Sequence, residues 1–114
     1  MWRDDAYLLD ILSAARRVRQ YTTDVTWEQF EQNPMLQDAV IRQLEIIGEA
    51  TRCVSQEVKD AHSEIPWKQI AGMRNRLIHH YFKVDVQKVW DAVQHDVPDL
   101  IEAVVPLVPP DTEN

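Results

Sequence analysis

Glycine occurs only twice in this chain of 114 residues, at Gly48 and Gly72. A fold full of hairpins and tight turns draws on glycine, because glycine enters the left-handed backbone region without steric cost. Its scarcity points to long helices joined by few loops. The apolar residues agree. Leu8, Leu12, Ala15 and Val18 recur at helical spacing, with Leu9 and Ile11 widening the stripe, so a first helix is expected over about Asp5 to Tyr21. Thr22, Thr23 and Asp24 break it, and Thr26 can cap a short helix through Trp27, Phe30 and Gln32. Asn33-Pro34 is a strong start signal, a capping side chain followed by proline at the first helical position. The helix it opens should reach about Val54. Leu36, Val40, Leu44 and Ile47 line one face, Gln43 puts a polar edge on it, and Ile46 and Ala50 extend the apolar surface. So broad a surface suits a central, covered helix. Gly48 weakens that helix slightly and lets another backbone come close.

Ser55 can cap one more short turn ending near His62, and Ser63-Glu64-Ile65-Pro66 opens a helix expected from Trp67 to about His79. Asp85 caps the last long helix, whose stripe is Val86, Val89, Trp90, Val93 and Val97. Pro98 must kink or interrupt it, since proline lacks a donor and clashes with the preceding turn. Pro106 ends the helical region. The sum is an all-α, up-and-down bundle of about four main helices plus short ones, a single domain over 1–108 with a flexible acidic tail over 109–114.

Cys53 is the only cysteine, so no internal disulfide can form and a reducing cytoplasm is the expected setting. No signal-peptide pattern opens the chain, and no apolar run is long enough to span a membrane. The net charge of −7 speaks against indiscriminate binding of nucleic acid. Its distribution matters more. Between Pro66 and Trp90 stand Lys68, Arg74, Arg76, Lys83 and Lys88 against the single acid Asp85, a local excess of +4 in an otherwise acidic chain. A polyanion would have to be engaged there.

The segment Arg74 to Phe82 holds the chemistry. On a helix, Ile70, Arg74, Leu77, Ile78 and Tyr81 would project to one side, and an arginine in line with apolar residues needs a reason. Arg74 either snorkels to the edge, pairs with a carboxylate such as Glu45 or Glu49, or faces a cleft. Asn75 and His79 would share a neighbouring face. Taken singly, each piece has a plain structural reading, as a salt-bridged arginine or a packed histidine. No metal-ligand set is evident: adjacent His79 and His80 diverge on a helix, Cys53 has no CxxC partner, and His62 and His95 stand alone. No cofactor motif or nucleophile elbow occurs. The four tryptophans fall mainly at stripe positions and read as core.

Arg74-x-x-x-x-His79-x-Tyr81 resembles the signature of the HepT-like toxins of the HEPN superfamily. Leu44 to Ala50 is similar to that family's central helix, Ile65 to Arg76 to its approach to the motif, and Tyr81 to Asp85 with Val89-Trp90 to its continuation. The resemblance covers nearly the whole chain, up to Leu100. It implies a helical homodimer whose motif helices meet at a cleft, and RNA cleavage that needs no metal. It implies the toxin of a type VII-like HEPN/MNT toxin–antitoxin pair, silenced when a minimal nucleotidyltransferase antitoxin attaches AMP to Tyr81; a higher hetero-oligomer with that partner is compatible. Catalysis would fall to Arg74 and His79 with Asn75 orienting. Arg76, His80 and Lys83 are further candidates for contact with RNA. The alternative is a HEPN dimer without turnover, holding RNA, a nucleotide or the antitoxin.

Overall fold

The computed structural model describes residues 2–80 and 83–109, with the backbone alone described for Trp2, Ile78, His79, His80 and Lys83. Two long antiparallel helices, α1 (Trp2–Tyr21) and α3 (Pro34–Cys53), form the spine. Leu8, Leu12, Ala15 and Val18 of α1 and Val40, Leu44 and Ile47 of α3 are buried, as the spacing predicts. Gln43 departs from expectation: it is buried rather than at an edge, and its Oε1 has no hydrogen-bond partner among the described residues.

The chain turns with little help from glycine because side chains take over the helix ends. After α1 the hydroxyls of Thr22 and Thr23 donate to the carbonyls of Val18 and Arg19, both at 2.8 Å, and Asp24 adopts the left-handed conformation at φ 60°. Thr26 and Gln29 form a reciprocal capping box at the start of α2 (Trp27–Glu31). The Asn33 side chain accepts from Leu36 N–H at 3.0 Å at the start of α3. Ser55 caps α4 (Gln56–Ala61) and is itself gripped by buried Asp4 from the start of α1. Asp4 accepts the Ser55 backbone N–H at 2.8 Å and its hydroxyl at 2.9 Å.

The second half of the chain packs onto this spine through α5 (Trp67–Ala71), α6 (Met73–Leu77), a two-strand antiparallel hairpin of β1 (Ile78–His80) and β2 (Lys83–Val84), α7 (Val86–Asp91) and α8 (Val97–Val104). The fold is therefore all-α apart from that short hairpin. Asp85 caps α7 by accepting from Lys88 N–H at 3.1 Å. A π-helical turn, Ala92–Asp96, joins α7 to α8. Pro98 accounts for it: the ring has no N–H and crowds the carbonyl four residues back, so the ladder widens and Val97 N–H donates to Ala92, five residues back. Trp90 closes that end of the core against Phe30, ring centroids 5.0 Å apart. Among the described residues no helix is long and apolar enough to cross a membrane.

The Asp4–Ser55 junction carries a pH signature. The Ser55 backbone N–H, helped by its hydroxyl, holds the Asp4 carboxyl below its ordinary value of 3.8 against the opposing effect of burial. A carboxyl depressed in the folded state stabilises fully above its unfolded pKa, and that contribution is lost as pH falls through the folded value. Asp4→Ala should cost about 1–3 kcal/mol near neutrality, because Ser55 loses a buried acceptor. It should also flatten the loss of stability as pH falls below about 4. Urea unfolding of both proteins across that range checks this; parallel pH profiles would contradict it.

Candidate active site

Glu45, Gly48 and Arg52 follow one another at spacings that place them on one face of α3. Against that face lies the corner where α5 ends. A Cβ added to Gly48 would stand 3.1 Å from the Ala71 carbonyl oxygen, tighter than nine in ten contacts of this kind. The same oxygen accepts from Arg52 Nη2 at 3.1 Å, a cation set on the C-terminal carbonyl of a short helix. Gly72 then caps α5 and breaks the helix expected to run from Trp67 to His79. The chain restarts as α6, with Asn75 N–H donating to Gly72 at 3.1 Å. Met73 and Leu77 are buried, so Arg74, Asn75 and Arg76 are all exposed.

Of the roles open to Arg74, the structure selects a pair with Glu45. Its Nε donates to Glu45 Oε2 at 2.8 Å, with the two side chains 48 % and 30 % exposed. Glu49 instead pairs with Arg52 at 2.9 Å. Arg42 stands 3.8 Å from the other oxygen of Glu45, so that carboxylate lies between two guanidinium groups. At this exposure such a pair stabilises the fold by only about 0–1 kcal/mol.

Asn75 and Arg76 turn to the other side. They line a cleft of about 480 Å³ together with Lys88, Asp91, His95 and Asp96. Arg76 Nη2 also donates to the Gln69 carbonyl at 3.4 Å, a long bond. Sequence spacing leaves His95 isolated; the structure sets it in the same cleft as Asn75. Both His95 and Asp96 belong to the π-helical turn, whose register the sequence signals only through Pro98.

The motif does not continue as a helix. Leu77 gives its carbonyl to the N–H of Asp85 at 2.9 Å, and β-branched Ile78 begins a strand. Ile78 pairs with Val84 and His80 with Lys83, with an irregular register between them. His79 thus lies on the strand that directly follows α6, and the helical alignment expected for Asn75 and His79 does not occur. The side chains of His79, His80 and Lys83, and the whole of Tyr81, lie outside the described residues. Among the described residues no three His, Cys, Asp or Glu side chains gather as a metal-ligand set.

A family model described as "Ribonuclease HepT-like" matches residues 11–107. The chain is 45 % identical over 94 residues to "Probable ribonuclease HepT" of Thermococcus cleftensis, covering 82 % of this chain and 86 % of that one. It is 42 % identical over 99 residues to "Putative RNase MJ1380" of Methanocaldococcus jannaschii, covering 87 % and 91 %. To "Putative RNase TTE0752" of Caldanaerobacter subterraneus it is 39 % identical over 98 residues, covering 86 % and 88 %. No solved structure matches.

Because Gly48 faces a backbone atom that cannot swing aside, a branched side chain there must push the α5–α6 corner off α3. Gly48→Val should lower stability by about 1–3 kcal/mol, the usual cost of overpacking. Denaturant titration checks it, and a variant as stable as the wild type would show that the corner is not seated as described.

Proposed function

This chain belongs to the HepT-like ribonuclease family, and on that premise we propose that it is an endoribonuclease that cuts RNA through the RNA's own 2′-OH. The observation that carries the reading is that a family match over residues 11–107 spans a half-exposed arginine on α6 and, on the strand that follows that helix, a histidine. The relatives from Methanocaldococcus jannaschii and Thermococcus cleftensis described above, both with a ribonuclease name, align over 91 % and 86 % of their length.

Each residue then has a chemical task. Arg74 offers a planar, permanently charged donor to the phosphate and to the charge that grows on it in the transition state. The 2′-oxygen attacks phosphorus, its proton passes to a base, the bond from phosphorus to the 5′-oxygen breaks, and an acid protonates that oxygen. The products are a 2′,3′-cyclic phosphate and a 5′-OH. Imidazole chemistry suits the role of base or acid, which falls to His79. A homodimer would supply two such histidines, one for each proton transfer. Asn75 would orient His79 or the phosphate, and Arg76, His80 and Lys83 would follow the strand. No step needs a metal ion.

The same reading makes the protein the toxin of a type VII-like HEPN/MNT pair. Its antitoxin, a minimal nucleotidyltransferase, would silence it by AMPylating Tyr81, two residues beyond His79. A bulky anion there would occupy nearby guanidinium groups and repel RNA.

The decisive comparison is wild type against His79→Ala on cellular RNA in EDTA. Loss of the histidine should slow cleavage by about 10²–10⁴-fold with the fold intact. Undiminished cutting by the variant, or abolition of wild-type cutting by the chelator, would defeat the mechanism. Coexpressed with the nucleotidyltransferase, Tyr81→Phe should still cut RNA and gain no AMP mass, whereas the wild type gains it; AMP on the variant would assign the modification elsewhere.

A further inference from the structure

We propose that Glu45 is a positioning residue for the Arg74 guanidinium, an inference that rests on the ribonuclease reading above. The contact links residues 29 positions apart through a short, charge-assisted bond between Arg74 Nε and Glu45 Oε2 at 2.8 Å. A carboxylate on Nε fixes the plane of the group by one edge. Both terminal amino groups remain without a partner among the described residues, in the fork that matches two phosphate oxygens. The anchor is rigid. Glu45 stands beside Leu44 and two residues before Ile47, both fully buried, on the helix whose Gly48 meets the Ala71 carbonyl. Arg42 lies 3.8 Å from the other carboxylate oxygen and so does not compete for Oε2.

A purely structural role fits poorly, because half-exposed pairs add little to stability. A role in attracting RNA fits worse, since a carboxylate repels phosphate. What remains is orientation, which acts on the transition state more than on the bound substrate. Removing Glu45 should therefore lower kcat while leaving KM unchanged or smaller.

The test is steady-state cleavage of a defined RNA by the full chain carrying Glu45→Ala or Glu45→Gln, beside solvent exchange of the Arg74 Nε proton followed by NMR. Glutamine keeps an acceptor for Nε and removes the charge. Expected are a fall in kcat of about 10–100-fold in Glu45→Ala without a rise in KM, and recovery in Glu45→Gln to within about threefold of wild type. The Nε proton should exchange slowly in wild type and Glu45→Gln, and fast in Glu45→Ala. An unchanged kcat in Glu45→Ala, a loss confined to KM, a loss that glutamine does not recover, or fast exchange in the wild type would each overturn the proposal. A wild type that cuts no RNA but shows slow exchange abolished in Glu45→Ala would instead place the failure in the ribonuclease reading, with the Glu45–Arg74 clamp itself upheld.

Discussion

The Ala71 carbonyl lies against α3 where Gly48 leaves no side chain in its way, and the placement of the basic segment follows from that close approach. Arg52, one turn beyond, donates to the same carbonyl, and Glu45, one turn before, takes the Nε of Arg74. Three positions on one helix face thus fix the end of α5, the break at Gly72 and the start of α6. The chain's second glycine supplies the break, so its two glycines serve one joint. A side chain at Gly48 would disturb more than local packing, because Arg74 inherits its position from the same contact.

The charge pattern takes on meaning in this frame. The spine carries as many basic as acidic residues, and Glu45 and Glu49 project from α3 toward arginines that would otherwise repel one another. Buried Met73 and Leu77 leave Arg74, Asn75 and Arg76 at the surface, with Arg74 directed to α3 and its two neighbours to the cleft beside the π-helical turn. On a chain of net charge −7, the RNA contact proposed above would be confined to these exposed groups.

Much of this was legible in the sequence because its causes are local. Thr26, Asn33, Ser55 and Asp85 each cap the helix expected of them, and the stripes on α1 and α3 are buried as their spacing requires, except that Leu9 and Leu36 are only half-buried. Gly48 was readable as a site of close backbone approach. The misreadings have non-local causes. The helix expected to reach His79 stops at Leu77 because a partner eight residues on, Asp85, claims the Leu77 carbonyl. His95 joins Asn75 in a cleft because Pro98 forces a wider turn, which alternation of apolar residues cannot report. Spacing left Arg74 three possible roles, and only the packing of α6 on α3 chose Glu45 over Glu49.

At the centre of the proposed chemistry is a guanidinium held in a fixed plane at the edge of α3. Arg74→Lys keeps the positive charge and removes the planar fork, so single-turnover cleavage of a defined RNA separates geometry from charge. A correctly folded Arg74→Lys protein is expected to cut at least about a hundredfold more slowly than wild type, the scale of losing one preorganised donor. Cleavage at the wild-type rate would contradict the assignment of that plane to the reacting phosphate.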